Sequence, residues 1–349
     1  MNQDNIFTLF SSDSSPQYKK DVLNVIAAPF NSEYRFRYKK EYIEEQAEVN
    51  LKDKKTKGQW ALIVFRTNSD KKDIEPFMVP IRWCKIKEID YENDICIITF
   101  IVKGYPEFDS GFARACMTRE NNVEYTKKYF EEKNINKFYV LSYLIKAVCV
   151  ESMGSKNNSK NWVNISEALN KHEVFASTLF FQTLLPSKSG KLKLTEYAQK
   201  TVTLSHYCCE NTDNYNASLS IACNTDLIQL VTEELLPLDC RYDKVPHVFE
   251  AKKSSGYSRS QVIFNIKAAN KDSTTQDETK IIVPVKIRRR WPKRIFKTIL
   301  SIASVISLTV IASWTTFSGT TFEKDIWIYI LLIIAALASP LSNLFLGEG

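Results

Sequence analysis

Glycine is scarce, with nine in 349 residues, and outside the last three positions no two stand closer than seven apart. That spacing excludes a P-loop and a Gly-x-Gly-x-x-Gly turn, because both need clustered glycines for backbone to approach phosphate. Histidine is scarcer still: His172, His206 and His247 are all there are. None has a second His or Cys at metal-ligand spacing, and no Gly-x-Ser-x-Gly elbow occurs. His206 beside Cys208 can be written as base and nucleophile, but neighbouring strand positions rarely aim both groups at one atom. The carboxylate pairs Glu131–Glu132 and Glu233–Glu234 read as solvated surface. No catalytic residue, metal site or cofactor fingerprint emerges, and a non-enzymatic role is expected.

Disulfide spacing is absent too. Eight cysteines are scattered without a Cys-x-x-Cys pair, and the one close pair, Cys208–Cys209, is vicinal and bridges only with strain. They read as reduced thiols of a cytoplasmic body. Met1–Phe10 lacks the apolar core of a signal peptide. The net charge of +7, from 47 basic and 40 acidic residues, is concentrated between Lys286 and Lys297. The remainder is nearly balanced, so overall charge says little about nucleic acid.

Long apolar runs occur at one end. Ile326–Leu346 holds twenty-one residues without a charge, and Ile295–Trp314 is a second run with Lys297 near its start. Roughly 20 apolar residues match the hydrocarbon thickness of a bilayer, so spans at 295–314 and 326–346 are expected. The basic run Lys286, Arg288, Arg289, Arg290, Lys293 and Arg294 precedes the first, while the connecting turn carries Glu323, Lys324 and Asp325. By the positive-inside rule the basic run anchors the cytoplasmic interface. The expected placement is therefore multi-pass in a membrane, with lipid contacts and both termini cytoplasmic. Ser301, Ser304 and Ser307 would pack helices or line a pathway, and two helices per chain cannot enclose a pore without oligomerisation.

The remaining chain alternates strand and helix signals. Ser15-Pro16 opens a helix, further helices suit Glu41–Leu51, Val123–Lys133 and Asn164–Lys171, and strands suit Trp60–Arg66, Phe77–Ile86 and Asp94–Val102. After the polar stretch Ser152–Lys160 come strand-like runs at Val174–Leu185, Leu192–Leu204, Ala217–Cys223, Asp239–Ala251, Gln261–Ala268 and Lys280–Ile287. The fold class expected is an α+β domain over 1–150, a mainly-β, sandwich-like domain over 151–290, and a two-helix transmembrane hairpin over 291–349.

Interleaved aromatics and cations mark one segment, Tyr34, Arg35, Phe36, Arg37, Tyr38 and Lys39. A single-stranded nucleic-acid platform uses this pairing, with bases stacked on rings and phosphates on cations. The competing reading is a half-buried strand with rings inward and charges outward. Arg66, Arg82, Arg114 and Arg119 would extend a basic groove if the fold gathers them.

This order of parts, with the terminal hairpin Ile295–Leu346, resembles membrane effectors of bacterial anti-phage defence, the Hailong type among them. The resemblance implies a bacterial inner membrane location, a cytoplasmic body that senses a nucleotide or single-stranded oligonucleotide and a membrane bundle that responds. It carries over no functional residue. The function expected is a ligand-gated homo-oligomeric channel, such as a tetramer. The alternatives are a membrane-anchored scaffold that recruits a partner protein through its β-sandwich, and a membrane-bound enzyme such as a nuclease.

Overall fold

A computed structural model describes residues 5–13, 15–53, 57–66, 78–106, 140–145, 159–170, 175, 177, 179–210, 215–237, 240–252, 258–271, 274–288 and 302. Among these the protein is predominantly β, with fourteen strands and three α-helices.

The N-terminal part is built on six strands: β1 (Asn5–Ser12), β2 (Glu33–Lys39), β3 (Trp60–Arg66), β4 (Met78–Glu92), β5 (Ile95–Val102) and β6 (Val140–Ile145). They lie in the order β2-β5-β4-β3-β1-β6. All neighbours are antiparallel except β1 and β3, which run parallel. β3 and β5 are short apolar runs rich in β-branched and aromatic residues, the composition that suits a pleated, buried surface. β4 carries a bulge at which Lys87 has no partner on β5, since Ile86 faces Phe100 and Glu88 faces Thr99. The extra residue restores alternation, so Ile86, Ile89 and Tyr91 point to the core while Glu88, Asp90 and Glu92 point out.

Helix α1 (Pro16–Ala27) starts with Pro16, whose fixed φ suits the first turn, and stops where Ala28 turns extended ahead of Pro29. Its Val22, Leu23, Val25 and Ile26 are buried with Phe10, Phe36, Ile63, Phe65 and Phe100 of the six-stranded sheet. Each such side chain contributes roughly 1.5–3 kcal/mol on burial, an upper bound for a real unfolded chain. Helix α2 (Glu45–Lys52) adds Ala47 and Leu51 to the same core, and α3 (Ser159–Asn170) adds Trp162, Ile165 and Leu169.

The remaining strands are β7 (Leu179–Leu184), β8 (Leu192–Thr195), β9 (Gln199–Cys208), β10 (Tyr215–Cys223), β11 (Ile228–Leu230), β12 (Tyr242–Ala251), β13 (Ser258–Asn270) and β14 (Asp277–Arg288). They form two four-stranded sheets, β11-β12-β9-β7 and β10-β13-β14-β8. Inward residues of both sheets, Val202, Leu204 and Phe249 from one and Phe264, Val283 and Ile287 from the other, make a second core. The run expected as one strand over Leu192–Leu204 is two, because Glu196–Ala198 turns the chain from one sheet to the other with Tyr197 at φ 59°. Helix α1 serves both cores. Ala27 belongs to the second, and the helix packs on β7 and β14 as well as on β1 and β4.

Four expectations are corrected. The N-terminal part is β-rich rather than an even α+β mixture, because α1, α2 and α3 cover a sheet that supplies most of the core. No helix among the described residues is long and apolar enough to cross a membrane; α1 and α3 have twelve residues each, where a span needs roughly 20. The expected spans at 295–314 and 326–346 lie outside the described residues except for Ile302, as do Ser301, Ser304 and Ser307. The C-terminal transmembrane hairpin, the multi-pass inner-membrane placement and the channel built on them are accordingly withdrawn.

Candidate nucleic-acid interface

The aromatic–basic segment is β2, an edge strand, and its side chains divide by face. Phe36 and Tyr38 are buried, with ring centroids 6.2 Å apart, and Phe36 meets Phe100 edge-on at 5.8 Å. Tyr34 is half-buried; its hydroxyl donates to Asp21 at 2.9 Å and accepts from the Asn24 amide at 3.0 Å. Burial raises the Asp21 carboxyl above the ordinary aspartate range, against the Tyr34 hydrogen bond and the positive charge of Arg37. No ring of β2 is open to stack on a base, while Arg35, Arg37 and Lys39 point outward. Cations on an exposed edge also block pairing with another strand.

The arginines named for a basic groove do not gather. Arg82 is fully buried: its Nε donates to the Lys103 carbonyl at 2.7 Å, and its two terminal nitrogens donate to Ile26 and Ala28 at 3.3 and 3.2 Å. The guanidinium lies 3.7 Å from the Tyr105 ring centre, and the Tyr105 hydroxyl donates to Ile26 at 2.6 Å. Both side chains thus take carbonyls at the C-terminal end of α1, where orphan acceptors and the helix dipole favour a cation. Arg66 is buried at the end of β3, and Arg114 and Arg119 lie outside the described residues.

A basic face does form elsewhere. On β14 the side chains alternate, and Lys286 and Arg288 occupy its last outward positions. Register places Arg259 of β13 beside Lys286, and Lys193 of β8 on the other side of Lys286. All three point away from the core. In adjacent rows Arg288 pairs with Thr195, and Gln261 pairs with Pro284. Among the described residues, register places no acid in these rows. Neighbouring strands lie about 4.8 Å apart, so three cations stand side by side across roughly 10 Å. Like charges directly opposite destabilise a sheet, and an anion laid across the row relieves that cost. Of the expected basic run, Arg289, Arg290, Lys293 and Arg294 lie outside the described residues. Sequence reading found Lys286 and Arg288 but missed Arg259 and Lys193, because only strand register brings them together.

His206 and Cys208 sit two apart on β9 and share a face, yet they do not meet as a pair. His206 Nε2 lies 3.2 Å from the Cys240 carbonyl, and the Cys208 thiol donates to the Glu210 carbonyl at 3.2 Å. Among the described residues no group of three His, Cys, Asp or Glu could hold a metal ion.

No protein-family model matches the chain, and no curated protein matches it. Among solved structures it is weakly similar to an Escherichia coli alpha-2-macroglobulin fragment, at 12% identity and a TM-score of 0.26, over 33% of this chain and 17% of that one. A cohesin–dockerin complex from Clostridium thermocellum matches at 13% identity and a TM-score of 0.20, over 31% and 98%. The CooA pilin subunit of enterotoxigenic Escherichia coli matches at 12% and 0.20, over 31% and 97%. Likeness this slight identifies neither family nor activity, and nothing in it bears on the Hailong-type effectors.

Proposed function

We infer that the protein binds the phosphate backbone of single-stranded nucleic acid, without reading its sequence, on the outer face of β8, β13 and β14. The observation that carries this reading is the cation row Arg259–Lys286–Lys193, flanked by Arg288. Extended phosphate chains match a linear array of cations, and Arg offers two parallel donors to each phosphate. The row holds no aromatic side chain on which a base would stack, so the attraction is electrostatic and directed at phosphate.

Fluorescence anisotropy of a labelled oligothymidine, measured over a salt series, tests this. Binding should weaken steeply with salt, the logarithm of affinity falling about 0.7 per neutralised phosphate against the logarithm of salt concentration. The double substitution Arg259→Ser and Lys193→Ser should flatten that slope by about 1–2 and weaken binding at low salt by about tenfold or more. Arg35→Ser with Arg37→Ser on β2 should leave the curve unchanged. Parent protein that ignores the oligonucleotide at low salt, or a β2 variant that loses binding while the row variant keeps it, removes the reading.

A further inference from the structure

The outer face of β2, β5 and β4 is striped by charge. Paired registers define three consecutive rows: Arg35–Thr99–Glu88, Arg37–Ile97–Asp90 and Lys39–Ile95–Glu92. Each of these three rows reads cation on β2, middle residue on a largely apolar β5, and acid on β4, while the next row, Glu33–Ile101–Lys85, reads the other way round. Both charged columns are exposed, and Ile95, the first residue of β5 after the Asn93–Asp94 turn, is 40% exposed. Ile97 and Ile101 are half-buried. The columns of opposite charge stand two strands apart, about 10 Å, close to the screening length of physiological salt. Arg35, Arg37, Glu88, Asp90 and Glu92 form no ion pair among the described residues; the ion pairs on this face are Lys39 with Glu41 and Lys87 with Glu33.

We propose that this face docks on the same face of a second copy of the chain, about a two-fold axis parallel to β5. Such an axis carries β2 of one copy over β4 of the other and leaves each row at its own level. Arg35 then meets Glu88 of the second copy, Arg37 meets Asp90 and Lys39 meets Glu92. Symmetry repeats each pair, and the isoleucines of the two β5 strands meet along the axis. An axis across the strands would instead set β2 over β2, cation against cation. The stripe therefore selects one closed, self-complementary arrangement, as a two-fold interface requires. Sheets stacked face to face at about 10 Å leave room for the isoleucines between them. The charge order is not a consequence of the core, since the inward residues of the same strands would pack identically with any polar outer face. It depends on the bulge at Lys87, without which Glu88, Asp90 and Glu92 would turn inward.

Sedimentation velocity of the full chain over a concentration series tests the proposal at low and high salt. The parent should show a reversible dimer that weakens as salt rises. Arg37→Glu, and separately Asp90→Arg, should each raise the dissociation constant by about tenfold or more, because like charges then face each other twice. The double variant Arg37→Glu with Asp90→Arg restores opposite charges at both symmetric positions and should recover association to within about threefold of the parent. All these positions are exposed, and an unchanged circular dichroism spectrum shows that the variants fold. A parent that stays monomeric throughout, single variants that associate like the parent, or a double variant that fails to recover each overturn the proposal.

Discussion

At the scale of single residues, burial decides what the titratable groups do. His247 is fully buried, its ring 5.5 Å from that of Phe264, and neither ring nitrogen meets a hydrogen-bond partner among the described residues. Burial lowers its pKa, because a buried imidazolium loses its hydration. The folded value lies below the unfolded one, so its contribution is complete above the unfolded value, near 6.5, and declines as pH falls toward the folded value. Denaturant unfolding at stepped pH should show stability dropping below neutrality, and His247→Phe should remove that step. Asp21 runs the opposite way. Its folded pKa is raised, so its favourable contribution is present in acid and fades as pH rises through the folded value. Asp21→Asn keeps an acceptor for the Tyr34 hydroxyl and should therefore be more stable than the parent at neutral pH, with the difference closing in acid. Thiols divide in the same way. Cys84 is fully buried and its thiol is pushed up to about 12, whereas Cys240 is exposed. A maleimide should label Cys240 in the folded protein and reach Cys84 only after unfolding.

At the scale of elements, two positions join parts that sequence reading kept separate. Gly190 sits before β8 with φ +66°, and a Cβ there would lie 2.0 Å from the Asn31 carbonyl oxygen and 2.6 Å from the Ser32 nitrogen. Backbone on both sides cannot yield, and the left-handed conformation disfavours any L side chain. Gly190→Ala should cost about 2–4 kcal/mol, read from the urea midpoint at unchanged slope. Asn24 of α1 bonds the Tyr34 hydroxyl and accepts from the backbone nitrogen of Lys280 on β14 at 2.6 Å, tying the helix to β2 and to β14. Arg82 closes the C-terminal end of that helix. Arg82→Lys keeps the charge but not the fork that reaches three carbonyls, and about 2–4 kcal/mol should be lost. Among these, the N-terminal helix, β3 and β5 were plain in the sequence, because apolar periodicity and Pro16 are local signals. The split of β8 from β9 was not. Its turn contains neither Gly nor Pro, and Tyr197 takes a conformation that sequence rules assign to Gly or Asn.

At the scale of the whole molecule, α1 is shared by two cores, and neither can open without exposing it. Unfolding followed by tryptophan fluorescence and by far-ultraviolet circular dichroism should therefore give coincident transitions, and Gly190→Ala should shift both together. What the sequence determined alone is the material: strands of β-branched and aromatic residues, no glycine-rich phosphate loop, no metal spacing, and a β2 whose period of two separates rings from cations. Those properties depend on residues within a few positions of one another. Only the tertiary structure decided which cations stand together. Arg259 and Lys193 are sixty-six positions apart in the chain and meet across Lys286 through the register of β8, β13 and β14. The rings of β2 cannot be assigned to core or ligand from alternation, which is the same in both cases; Phe10 against Tyr38 and Phe100 against Phe36 decide it. Arg82 likewise reads as a surface cation until the end of α1 is brought over it. Pairing between distant strands is set by the sum of many weak contacts, and no local pattern encodes that sum.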